Sequence, residues 1–121
     1  MRERFWLGRV GSIVWAGRGV WELVRGQRNA WIHAVATVGV VGAGWFLGVG
    51  REEWCLLVLA MGLVWAAEGI NTAVEALADA VAPGHDERVG RAKDLAAGGV
   101  LLAAIAAAVV GAVVFLPRLA S

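Results

Sequence analysis

Three carboxylates recur mid-chain at a spacing that a helix would turn into a row. The stretch reads Glu68-Gly69-Ile70-Asn71-Thr72-Ala73-Val74-Glu75-Ala76-Leu77-Ala78-Asp79. At roughly 100° per residue, with Glu68 at zero, Asn71 falls near −60° and Thr72 near +40°; Glu75 falls near −20° and Asp79 near +20°. An amide, a hydroxyl and all three acids thus share about 100° of one helical face. Closely spaced carboxylates repel unless protons or a cation screen them. A Mg²⁺ ion held by one or two carboxylates and a substrate's phosphates is a natural screen. Downstream, Pro83-Gly84-His85-Asp86-Glu87-Arg88 makes a polar turn, and Arg91-Ala92-Lys93-Asp94 follows it. Lysine is a mobile cation suited to phosphate oxygens, and Asp94 would orient it or a nucleotide. Together these groups suit phosphoryl transfer, a chemistry of positioning and charge neutralisation.

The elements that must carry these residues are membrane helices. Of 121 residues, 60% are hydrophobic and only 17% charged, well outside the proportions of ordinary soluble domains. Mean hydropathy is +0.69. A small domain buries too little of its surface to hide so much apolar area from water. Net charge is +1 and there is no basic tract, which excludes a nucleic-acid module. The lone Cys55 excludes a disulfide framework.

Asn29 to Gly50 and Leu95 to Leu116 are each 22 residues without a formal charge. At about 1.5 Å per residue each covers roughly 33 Å, the thickness of a bilayer core. Pro117 is expected to end the last span. Between them, residues 52–82 contain no helix breaker until Pro83-Gly84 and are expected to form one long helix. Its first half would cross the lipid, and its acidic half would lie at one interface. Residues 1–28 interleave arginines and glycines with Trp6, Trp15, Trp21 and aliphatics, the pattern of an amphipathic surface helix. The reading is a single all-α integral-membrane domain over 1–121. A surface helix (1–28) precedes three membrane helices (29–50, 52–82, 95–116).

Orientation follows from the basic residues. Six of eleven lie in the first 28 positions, and Arg88, Arg91 and Lys93 lie between the second and third spans. The positive-inside rule places both segments in the cytoplasm. The acidic row, Lys93 and the N-terminal helix then meet at one interface, beside lipid. That setting favours transfer from a water-soluble donor to a lipid hydroxyl.

The run from Glu68 to Asp79, followed by His85 and by Ala92-Lys93-Asp94-Leu95-Ala96-Ala97, resembles the prokaryotic diacylglycerol kinase family, which includes undecaprenol kinases. Arg28-Asn29-Ala30-Trp31-Ile32-His33 is similar to the segment that opens the first span in the undecaprenol-kinase-like branch. The resemblance implies a homotrimer with interfacial active sites between subunits, ATP as phosphoryl donor, Mg²⁺ as cofactor, and diacylglycerol or undecaprenol as lipid. It implies Glu68 as catalytic base and Asn71 as a group holding the lipid hydroxyl or the base. Glu75 would bind the metal. Gly84, His85, Lys93, Asp94 and Glu75 would contact nucleotide, and Arg9 would assist at the substrate. The family's second metal-binding glutamate falls on Gln27, a neutral amide that offers only a carbonyl oxygen. A proton-coupled transporter using Glu68 and Glu75, and a catalytically inactive membrane partner, are the alternatives. Transport is disfavoured because the third span carries no polar group and the first only His33 and Thr37.

Overall fold

The computed structural model describes residues 2–26 and 29–120. Four helices account for nearly all of them: α1 (Arg2–Gly26), α2 (Ala30–Leu47), α3 (Arg51–Val81) and α4 (Glu87–Ala120), with no strand among the described residues. The last three are long and apolar enough to cross a membrane. The chain divides into two compact units, residues 1–34 and 35–121.

In the first unit, α1 bends at Gly8, whose φ of 58° a residue without Cβ adopts at no steric cost. The Ser12 hydroxyl donates to the Gly8 carbonyl at 3.2 Å beside the bend. Val10, Ile13, Val14, Val20, Trp21 and Val24 are all exposed. The guanidinium of Arg18 lies 4.6 Å from the Trp15 ring centre, and that of Arg25 lies 5.5 Å from the Trp21 ring.

In the second unit, α2 stops short of the end of its uncharged run. Gly48 takes φ 68°, and its N–H donates to the Trp45 carbonyl while the Val49 N–H donates to that of Gly44. This is a Schellman helix end, for which glycine is the usual residue. It turns Val49 inward against Leu57 and Val114, so the helix closes at Leu47 rather than near residue 50. The Glu53 carboxylate then accepts the Gly50 N–H at 3.0 Å and opens α3, where an acid also suits the helix dipole. As expected, α3 continues unbroken until Pro83 removes the next donor.

Two expectations for the last helix need correction. Residues 87–94 are its first two turns, not a loop. Asp86 caps them, one carboxylate oxygen accepting the N–H groups of Arg88 (2.9 Å) and Val89 (3.3 Å). Nor does Pro117 end the helix, which runs to Ala120. A proline so near the terminus removes one hydrogen bond, and the next residue holds the turn in place. Arg118 Nε donates to Glu53 Oε2 at 3.1 Å, a second guanidinium nitrogen reaches Glu53 Oε1, and Nη1 donates to the Leu47 carbonyl at 3.4 Å. One side chain thus gathers the ends of all three spans.

α3 and α4 approach each other closely backbone to backbone, which the small buried side chains Ala60, Ala78 and Ala103 permit. α2 instead meets α3 through two tryptophans. The Trp54 ring lies on Gly44, where a Cβ would come within 2.7 Å of it. Eleven residues along, about three turns, Trp65 Nε1 donates to the Thr37 hydroxyl at 2.9 Å.

Candidate active site

The acidic row continues the face of α3 that forms the core. In the projection that puts Glu68 at zero, Trp54, Leu57, Met61 and Val64 fall between roughly −40° and +40°, and the first three belong to the core cluster with Val114. Trp54 and Trp65, near +40° and +60°, mark the flank turned to α2. Ala60 and Ala78, both near −80° and both buried, mark the flank turned to α4. Glu68 therefore occupies the seam between α2 and α4. The face changes chemistry at that residue without changing direction.

Burial falls steadily along the row. Glu68 and Thr72 are half-buried, as is Asn71, whereas Glu75 and Asp79 are exposed. The amide oxygen of Asn71 is buried and has no hydrogen-bond partner among the described residues.

Lys93 reaches this row from α4. Its Nζ lies 3.3 Å from Asp79 Oδ1, so the structure brings Lys93 to the last acid of the row rather than to Glu68 or Glu75. The pairing with Asp79 escaped the sequence reading. Its signal was available: Asp79–Lys93 and Glu53–Arg118 are both centred at about residue 86, as pairs across one antiparallel hairpin must be. Gly84, His85 and Asp94 are exposed at the same end of the hairpin. Asp86 is half-buried. Its carboxyl is held below the usual range first by the Arg88 side chain, then by the N–H groups it caps. Arg9 is exposed on α1 in the first unit, and Gln27 lies outside the described residues.

The two ion pairs also measure depth. Glu53 to Asp79 is 26 residues, or about 39 Å of helix, and Lys93 to Arg118 is 25, or about 37 Å. A hydrocarbon core is about 30 Å thick, so the pairs fall just beyond its two edges. Glu68, about 22 Å along α3 from Glu53, falls at hydrocarbon depth, and Glu75, at about 33 Å, falls at the edge of that layer.

Residues 14–115 match the family described as prokaryotic diacylglycerol kinase. The chain belongs to that family. It is 37% identical over 108 residues to the undecaprenol kinase of Bacillus subtilis (strain 168), covering 89% of this chain and 88% of that one. It is 40% identical over 111 residues to a diacylglycerol kinase of Synechocystis, covering 91% of this chain but 63% of that longer protein. With the diacylglycerol kinase of Escherichia coli (strain K12) it shares 36% over 93 residues, or 70% and 75% of the two chains. The protein is therefore a membrane kinase of this family.

As a metal site the row is open. Among the described residues no three His, Cys, Asp or Glu side chains converge as a ready-made cage. That donor set fits Mg²⁺ in its usual kinase role, where one or two carboxylates share the ion with substrate phosphates. Glu75 is exposed, and among the described residues it makes no ion pair. Its carboxylate is available for that duty.

Proposed function

We propose that this kinase transfers the γ-phosphoryl group of ATP to the primary hydroxyl of a membrane lipid alcohol, with undecaprenol the preferred acceptor and undecaprenyl phosphate the product. The observation that carries the reading is the acidic row itself. One helix face begins with a half-buried carboxylate at hydrocarbon depth and ends in exposed groups beyond it. A greasy alcohol and a water-borne phosphate donor can be met along such a row without either leaving its own solvent. End-to-end coverage of the Bacillus relative favours undecaprenol. Identity of 40% to the Synechocystis protein favours diacylglycerol, with phosphatidic acid as product, as the second reading.

In this mechanism Glu68 accepts the proton of the lipid hydroxyl as its oxygen attacks the γ-phosphorus, and the bond from that phosphorus to the β-phosphate oxygen breaks to release ADP. Asn71 holds that hydroxyl. An amide carries both an acceptor and donors, and a half-turn of its end group presents the NH₂ to the hydroxyl oxygen, leaving the proton for Glu68. Glu75 would hold Mg²⁺, with Gln27 as a neutral second ligand; the ion supplies charge neutralisation on the phosphates. Lys93 meets the phosphates, with Gly84, His85 and Asp94 about the nucleotide and Arg9 at the substrate. Lys93 exchanges its exposed partner Asp79 for the far larger charge of a triphosphate.

Residues 1–28 would form an amphipathic surface helix, its exposed Val10, Ile13, Val14, Val20, Trp21 and Val24 entering lipid. The N-terminus and the turn at residue 84 would be cytoplasmic, at a bacterial inner membrane. Three copies would form the bundle, as the family resemblance implies. The test is transfer of label from γ-labelled ATP to undecaprenol or diacylglycerol offered to the detergent-purified protein, with and without Mg²⁺. Magnesium-dependent labelling that Glu68→Gln abolishes, while nucleotide still binds, is expected. Labelling of neither lipid refutes the proposal, and activity in Glu68→Gln refutes the role of that residue.

A further inference from the structure

Trp65 stands one turn before Glu68 on α3, and its indole N–H is tied to the hydroxyl of Thr37 on α2 at 2.9 Å. We infer that Trp65 is a positioning residue: its bond to Thr37 sets the rotation of α3 about its own axis and so aims the Glu68 carboxylate. The inference rests on Glu68 being the base, as proposed above.

The geometry explains why this bond has leverage. α3 and α4 are packed closely through alanines, and the two ion pairs that join them lie about 16 Å and about 22 Å along α3 from Glu68. α2 touches α3 at two tryptophans instead. Trp54 rests on Gly44 by shape alone, about three turns before Trp65 and some 20 Å from Glu68. The Trp65–Thr37 bond is directional, and it lies next to the acid. An indole N–H at hydrocarbon depth has no water to turn to, so rotating α3 away from Thr37 breaks a hydrogen bond that water does not replace.

Side chains on a helix reach about 6 Å from its axis, so a rotation of about 10° moves the Glu68 carboxylate by about 1 Å. A misplacement of that size costs on the order of 100-fold in rate. A local roll of α3 at Trp65 reaches the nucleotide site less, because Asp79 lies about 16 Å beyond Glu68 and is tied to Lys93 on α4. Loss of the bond should therefore appear in kcat rather than in KM for ATP.

The experiment compares Trp65→Phe, which keeps a ring and removes the N–H, with Thr37→Val, which keeps the shape and removes the hydroxyl. Thr37→Ser restores the hydroxyl alone, and Trp45→Phe on the exposed side of α2 is the control. Both bond-breaking variants are expected to lose about 10- to 100-fold in kcat, with KM for ATP within about twofold. The double variant should be no worse than the poorer single one, and Thr37→Ser and Trp45→Phe should run near wild type. Because Thr37→Val preserves volume, it keeps the test decisive should Trp65→Phe fail to fold. With Glu68→Gln inactive, wild-type turnover in Thr37→Val, or a Thr37→Ser variant as slow as Thr37→Val, overturns this inference alone. An active Glu68→Gln enzyme overturns the base assignment and this inference with it.

Discussion

Asp79→Asn should make the kinase bind ATP more tightly. The Asp79 side chain is 75% exposed and that of Lys93 is 41% exposed, with 3.3 Å between the charged atoms. An exposed pair of this kind is worth roughly 0.2–1 kcal/mol. If the ammonium must leave Asp79 to meet phosphate, that energy is subtracted from nucleotide binding. Removing the carboxylate's charge returns it, and 1 kcal/mol corresponds to about fivefold in affinity. Apparent KM for ATP is therefore expected to fall by up to about fivefold in Asp79→Asn, with kcat unchanged. Lys93→Met should raise it, and adding Asp79→Asn to Lys93→Met should change nothing further. The assay is initial-rate kinetics against ATP at saturating lipid and Mg²⁺, repeated at raised ionic strength, where screening should shrink the difference. A rise in KM, or a loss of turnover in Asp79→Asn, would refute the reasoning. It would show that Asp79 serves the nucleotide or metal directly instead of parking the lysine.

Gly44→Ala should destabilise the bundle by about 1–3 kcal/mol, the usual cost of overpacking. The new Cβ would stand 2.7–3.1 Å from three atoms of the rigid Trp54 ring, against about 3.5–4.0 Å for relaxed carbon contacts. Thermal unfolding in detergent should show the loss, and a second change, Trp54→Leu, should recover part of it; equal stability of Gly44→Ala and wild type counts against the packing. Arg118→Met should lower the melting temperature further than Arg118→Lys does, since only a planar fork with several donors meets both Glu53 oxygens and the Leu47 carbonyl. Identical melting of the two variants would remove the clasp from the account. The Asp86 carboxyl is held below its ordinary value, so its stabilisation of α4 is complete above the ordinary aspartate pKa and is lost as pH falls through the lower folded value. The Val89 amide resonance should titrate below about pH 3.9 and cease to do so in Asp86→Asn; a midpoint above that value contradicts the capping geometry.

The helices were legible because a bilayer imposes a length and a charge rule on local sequence. Two uncharged runs of 22 residues, and an unbroken stretch ending at Pro83, located the three spans. The shared direction of Glu68, Asn71, Glu75 and Asp79 followed from the helical repeat alone. What escaped depended on contacts between distant residues or on capping. Nothing local distinguishes Gly48 from Gly42 or Gly50, yet only Gly48 closes α2, because Val49 finds a buried place behind it. The last turn survives Pro117 through a carboxylate 65 residues away. Residues 87–94 look like a charged loop until Asp86 is seen accepting two backbone N–H groups. The pairing of Lys93 with Asp79 was not read, although the turn after Pro83-Gly84 pointed to it, because it takes registering two helices against each other rather than reading either one alone.

The depth of Glu68 joins fold to chemistry. A carboxylate at hydrocarbon depth is costly if it faces lipid, and the same residue is of little use to a lipid alcohol if it stands in water. The seam between α2 and α4 resolves the conflict, since it turns the acid toward protein while keeping it at hydrocarbon depth. The groups for phosphate follow on the same face, with Asp79 about 16 Å further along the axis. That span is longer than a single phosphoryl-transfer geometry needs. On the proposed mechanism Glu68 and Asp79 therefore do not act on the same atoms, and the row runs from the acceptor's proton to the donor's charge. A change at Asp79 should consequently appear in nucleotide affinity, and a change near Glu68 in turnover.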